Sequence, residues 1–98
     1  MSNIRTLKNY LCECLNGLEE ALSGDKSCSA VGKQITYVRI AAMKYQNELR
    51  ALMEDFGEND ALKKEITQAA YIITVMDECL NRLKADVSKY IPDLKFDN

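Results

Sequence analysis

Two long stretches of this chain place an apolar residue at alternating intervals of four and three. Val31, Ile35, Val38, Ala42, Tyr45, Leu49, Leu52 and Phe56 do so in the first. Leu62, Ile66, Ala69, Ile73, Met76, Leu80, Leu83, Val87 and Tyr90 do so in the second. An α-helix turns once in about 3.6 residues, so this alternation keeps each set on one side of a helix. A strand needs a period of two, and the β-branched residues here fall on helical spacings instead. Intervals of 3, 4, 4, 3 and 4 through Ile4, Leu7, Leu11, Leu15, Leu18 and Leu22 add an earlier, shorter helix.

The punctuation between the patterns sets the boundaries. Gly24 follows the first stripe and opens the turn Gly24-Asp25-Lys26-Ser27; Gly57 follows the second and opens Gly57-Glu58-Asn59-Asp60. Asn59 or Asp60 is suited to cap the helix that follows. Pro92 disfavours helical geometry in the residue before it. The expected helices are therefore 3–23, 29–56 and 60–91, with a tail over 92–98 that either frays or folds back through Leu94 and Phe96. Turns this short make neighbouring helices antiparallel. The expected fold is all-α: one domain over residues 1–98, an antiparallel up-down-up three-helix bundle. Its long second and third helices form a coiled-coil-like hairpin, with a shorter first helix beside them.

Lengths and stripe widths bear on function. At about 1.5 Å per residue the first helix spans roughly 30 Å and the others over roughly 40 Å, so it leaves part of the groove between them uncovered. The third helix carries a second apolar stripe, Ile72, Val75 and Cys79, beside the seam of Ile73, Met76 and Leu80. In the second helix, Ile40 and Met43 also lie off the main seam, and Tyr71 lies off that of the third. A helix that is apolar on more than one face is buried on more than one face. Either a triangular bundle uses that width internally, or a partner covers it. The second reading makes Ile40, Met43, Tyr71, Ile72, Val75 and Cys79 the candidate partner-binding residues, with Tyr37 and Tyr71 as aromatic anchors where they are exposed.

The residues that carry most chemistry are sparse. The chain has no histidine, which removes imidazole as base, shuttle or metal ligand. Its cysteines are Cys12, Cys14, Cys28 and Cys79. Cys12 and Cys14 point about 200° apart on one helix, which suits neither a disulfide nor one zinc ion. Free thiols in a reducing cytoplasm are expected, with Cys28, at a helix amino terminus, the thiol with the most depressed pKa. Glu54, Asp55, Glu58, Asp60 and Glu65 cluster around the second turn without the glycine and spacing of a calcium loop, and read as a solvated, helix-capping turn. No catalytic residue, cofactor site or metal site is expected.

Partner class follows from charge. Thirteen basic residues against fifteen acidic ones give a net charge of −2, too balanced for strong attraction to nucleic acid or to an anionic membrane. Lys26, Lys33, Arg82, Lys84 and Lys89 gather toward one end, but Glu19, Glu20, Asp25 and Asp86 share it. No leader with a long apolar core opens the chain, and no apolar run reaches the roughly 20 residues of a membrane span. The expectation is a small cytoplasmic, non-enzymatic protein–protein interaction module or regulator of the adaptor, inhibitor, chaperone or mobile-element anti-defence or immunity type. It binds a protein partner through an exposed apolar helical face and forms a homodimer. The alternative is a dimeric regulator associated with nucleic acid.

Overall fold

The computed structural model of the chain describes residues 3–24, 28–82 and 87–96. Their order is α1 (Ile4–Ser23), α2 (Cys28–Phe56), α3 (Asp60–Arg82), a single 3-10 turn (Val87–Lys89) and α4 (Ile91–Leu94). The three long helices pack antiparallel, and the fold is all-α with a short helix at its C-terminal end. The molecule is a rod of 43 × 22 × 21 Å, its long axis matching the 29 residues of α2.

The turn between α2 and α3 is built from the residues that the sequence offers for it. Gly57 has φ of 83°, a left-handed conformation in which a side chain would be strained, and its N–H bonds Met53 O at 2.8 Å to close α2. Asn59 Oδ1 then accepts hydrogen bonds from the Ala61 and Leu62 N–H groups at 2.8 and 3.3 Å, satisfying two free donors of the first turn of α3.

α2 is the spine. α1 and α3 each pack along it and meet one another far less. Gly17 of α1 lies so close to α2 that an added Cβ would stand 2.9 Å from Gln34 Oε1. The core takes Leu11, Leu15 and Leu18 from α1, Ile35, Val38, Ala42, Tyr45 and Leu49 from α2, and Ala69, Ile72, Val75, Met76 and Cys79 from α3. The middle of the seam is thus inside in α1 and α2, whereas in α3 Ala69 and Met76 of the seam are buried and Ile73 and Leu80 only half-buried. The ends of the α2 seam are less covered: Val31 and Leu52 are half-buried, and Phe56, its last residue, is 80% exposed.

Two expectations need correction. The periodicity predicts a third helix that runs through Ile91; the described helix ends at Arg82, residues 83–86 (with Leu83) lie outside the described residues, and the chain then turns back. Val87 and Leu94, at 2% and 0% exposure, are buried among the long helices, and α4 touches both α1 and α3. Pro92 sits in the first turn of α4, where its missing N–H costs nothing. Gln68 Nε2 donates to Asp93 O at 2.8 Å and reaches Lys95 O at 3.4 Å, fixing the returning segment to α3. Of the two fates open to the tail, folding back through Leu94 and Phe96 is the one adopted.

The second correction follows from the first. The stripe widths predict Ile72, Val75 and Cys79 on a displayed face of α3, and they are 0%, 4% and 4% exposed. The chain's own C-terminal segment and the other helices supply the cover expected of a partner. The buried residues of α3, Ala69, Ile72, Val75, Met76 and Cys79, fall within about 120° of arc, one stripe turned away from the expected seam, whose Ile73 and Leu80 are half-buried.

Candidate functional site

With Ile72, Val75 and Cys79 enclosed, the exposed large apolar side chains among the described residues are Tyr10, Tyr37, Ile40, Met43, Phe56 and Tyr71. Tyr37, Ile40 and Met43 form a group. Successive steps of three residues turn about 60° around a helix, so the three make a band across about 120° of the face of α2 that points away from the core. They are 40%, 42% and 38% exposed. Thr36, Lys44 and Asn47 lie in the same band and are exposed as well. The helix supports them rigidly, since Ala41, Ala42 and Tyr45 on its other side are locked in the core.

The band has a rim on α1. Tyr10 lies one turn before Cys14 on α1, and its pKa is raised above the ordinary value. The neighbouring Cys14 is the main cause, and Tyr37 contributes from across the helix pair. Burial pushes the Cys14 thiol up as well, with Tyr10 acting against it and Glu13 adding to it. A buried thiol with a raised pKa is a small hydrophobe and not a nucleophile. Cys12, Cys14 and Cys79 are thiols and form no disulfide, while the side chain of Cys28 lies outside the described residues.

Tyr71 stands apart. It is 37% exposed and one turn from Gln68, on the edge of α3 that holds the C-terminal segment. Of the six residues expected at a partner interface, Ile40 and Met43 share one face, Tyr71 lies on another, and Ile72, Val75 and Cys79 are core. Tyr37 joins Ile40 and Met43, and the sequence carries the signal for it: a three-residue step off the buried seam.

No family model, curated protein or solved structure matches this chain. Its surfaces therefore have to be weighed by their own chemistry.

One concave region invites comparison with the α2 face. The groove between α1 and α3 that the C-terminal segment leaves unfilled is an open cleft of about 570 Å³, lined by Ile4, Arg5, Lys8, Tyr45, Leu62 and Glu65 among others. Three of its polar groups, Lys8, Tyr45 and Glu65, are engaged with one another. Lys8 Nζ lies 2.6 Å from Glu65 Oε1, and the Tyr45 hydroxyl donates to the same oxygen at 2.7 Å. Phe96 closes the knot, with its ring edge-on to Tyr45 at 5.6 Å between centroids and 5.1 Å from the Lys8 ammonium. Burial above all, then the bond to Glu65 and the charge of that carboxylate, raise the Tyr45 phenol well beyond the usual tyrosine range. A phenol held protonated and a carboxylate held between two donors serve as a clamp, one residue from each of α1, α2, α3 and the C-terminal segment.

The charged groups are dispersed. Glu54, Asp55, Glu58 and Asp60 are exposed at the turn, Glu58 pairs with Lys63 at 3.1 Å, and Glu65 is taken up in the clamp. Among the described residues no three His, Cys, Asp or Glu side chains converge to hold a metal ion. Arg39 pairs with Asp77 across α2 and α3, and Lys95 with Glu19 across the C-terminal segment and α1. Lys33, Arg82 and Lys89 are exposed near one end; Lys26 and Lys84 lie outside the described residues. Among the described residues no helix is long and apolar enough to cross a membrane.

Proposed function

We propose that this chain is a non-enzymatic protein–protein interaction module that docks its partner on the outer face of α2. The observation that carries the reading is the band of Tyr37, Ile40 and Met43, three large apolar side chains about two-fifths exposed on a rigid helix whose opposite side is core. Aromatic and methionine side chains are enriched where proteins bind one another, and a pre-ordered helix loses little entropy on docking. The chemistry elsewhere supports a binding role over catalysis. The chain has no histidine, burial raises the pKa of the Cys14 thiol, and Lys8, Tyr45 and Glu65 in the open cleft bond one another. The unbridged thiols fit a reducing, cytoplasmic setting.

The test is affinity capture from the source cells followed by mass spectrometry. Wild type is compared with Ile40→Glu and with Phe56→Ser, a control that removes an exposed apolar residue away from the band. The reading requires at least one protein, this chain itself included, to be enriched with wild type and Phe56→Ser and lost with Ile40→Glu. Equal recovery on all three baits overturns it.

A further inference from the structure

We infer that the C-terminal segment from Val87 to Phe96 is a latched strap, which opens as a unit while α1, α2 and α3 stay folded and so uncovers the apolar stripe of Ile72, Val75 and Cys79. The inference does not depend on the outer face of α2. Gln68, Ile72, Val75 and Cys79 follow one another on α3 at steps of four, three and four, which keeps them within about 60° of arc. The Gln68 amide donates to Asp93 O at 2.8 Å and reaches Lys95 O at 3.4 Å. α3 ends at Arg82, so a chain that is level with Gln68 again by Asp93 has run back along this line. The strap is the cover of the stripe on that side.

The three-helix frame does not need the strap. α1 and α3 each pack along α2 and meet one another far less, so neither is held in place by the segment laid between them. The backbone bonds of the segment are local. The Tyr90 N–H donates to Val87 O at 3.0 Å, and the Asp93 and Leu94 N–H groups donate to Tyr90 O at 2.9 and 3.1 Å. Val87 and Leu94 are its buried side chains, with Tyr90, Ile91 and Phe96 half-buried. The other ties are polar or peripheral. The Gln68 hydrogen bonds are exposed, and the ion pair of Lys95 with Glu19 is open enough to water to contribute little. Phe96 meets Tyr45 edge-on and borders a hollow of about 190 Å³ lined also by Lys8, Cys12, Leu15, Asn16 and Lys95. Side chains that face unfilled space forfeit contacts. A segment with few buried apolar groups, exposed hydrogen bonds and loose packing is the part of a fold that opens first.

Opening changes what the rod displays. Closed, Ile72, Val75 and Cys79 are core. Open, they form an apolar stripe roughly 10 Å long on the side of α3 that Gln68 shares. Val87 and Tyr90 continue the four-and-three spacing of α3 in the sequence, so the released segment keeps a helical face of its own. Display of the stripe is thereby tied to whatever loosens the strap at Gln68 or Leu94.

The experiment is native-state hydrogen exchange of the full chain at urea concentrations below the unfolding transition, beside pulsed iodoacetamide labelling of Cys79 read by peptide mapping. Each rate is taken relative to that of the unprotected group. The amides of Asp93 and Leu94 and the Cys79 thiol are expected to react through one shared opening, about tenfold or more faster than the amides of Val38 and Ala42 in the middle of α2. Their dependence on urea should be shallower, because this opening exposes less surface than unfolding does. Gln68→Ala, with helicity checked by circular dichroism, should speed Asp93, Leu94 and Cys79 together by several-fold in the absence of urea. A single rate and a single urea slope for the strap, Cys79 and the α2 amides overturns the inference, since the chain then opens only as a whole. Fast exchange at Asp93 and Leu94 while Cys79 keeps the rate of the α2 amides overturns it too, since the strap then does not cover the stripe. So does a Gln68→Ala variant that leaves all three rates unchanged, since the segment is then not latched there.

Discussion

At the scale of single residues, Tyr45 couples the fold to pH. Its hydroxyl donates to Glu65 in a nearly closed environment, and burial first, then Glu65, hold its pKa above the ordinary value. The folded chain therefore keeps this proton more tightly than the unfolded chain does. Below about pH 10 both states hold it and its stabilisation is complete; as the pH rises past that point the unfolded state releases the proton and stability drains away. Cys14, raised chiefly by burial, acts in the same direction from about one unit lower. Urea midpoints should thus fall from about pH 9 upward, and Tyr45→Phe should flatten the part above about pH 10 while costing about 1–2 kcal/mol at neutral pH. An alkaline slope unchanged in Tyr45→Phe would place the titrating group elsewhere. Gly17 makes a second residue-scale case. Glycine inside a helix costs about 1 kcal/mol relative to alanine, and the atom that a new Cβ would approach is the mobile end of the Gln34 side chain. Gly17→Ala should therefore raise the melting temperature by a few degrees, and a fall would mean that the α1–α2 approach has no slack.

Among the elements, the C-terminal segment departs most from what periodicity foretells. Leu83, Val87 and Tyr90 continue the spacing of α3, and nothing local to the sequence separates a helix that runs on from a chain that returns. Both bury Val87; only the return also buries Leu94 and sets Phe96 against Tyr45. That choice depends on the groove between α1 and α3, a tertiary object that a one-dimensional pattern does not contain. The same groove explains why Ile72, Val75 and Cys79 read as a surplus stripe: the pattern counts apolar faces, and the missing cover lies further along the same chain. What local chemistry decides was legible, from the Gly57 and Asn59 turn to the buried middle of the seams of α1 and α2, and so was the off-seam placement of Ile40 and Met43; in α3 the buried stripe runs through Ile72, Val75 and Cys79, to one side of the expected seam. If the returning segment is an integral part of the core, Leu94→Ala should cost about 2–5 kcal/mol by chemical denaturation. Phe56→Ser, at the exposed end of the α2 seam, should stay within about 0.5 kcal/mol of wild type. Comparable losses at the two sites would mean that burial at Leu94 is not what holds the segment.

On the scale of the whole molecule, stability and association are linked. Where the partner on the outer face of α2 is a second copy, association consumes two folded copies, lowers the free energy of the folded state and leaves the unfolded chain untouched, so its effect grows with protein concentration. Once the dimer dominates, each tenfold rise in concentration stabilises a protomer by half of RT ln 10, about 0.7 kcal/mol. For a domain of about 100 residues that corresponds to roughly 3–5 °C in melting temperature per decade. Salt should disturb this little. The outer face of α2 is apolar at its centre, and the ion pairs that tie the elements of one copy together, Lys8 with Glu65, Arg39 with Asp77 and Lys95 with Glu19, lie off it. Association driven by the exposed basic residues would behave differently, falling steeply as ions screen them. Melting curves over two decades of concentration, at low and high salt, separate the cases. A wild type whose midpoint climbs with concentration at both salts, beside an Ile40→Glu variant whose midpoint stays fixed, is the pattern required of two rods joined along α2. A midpoint independent of concentration for both proteins is that of a chain that already hides from water all the surface it is going to hide.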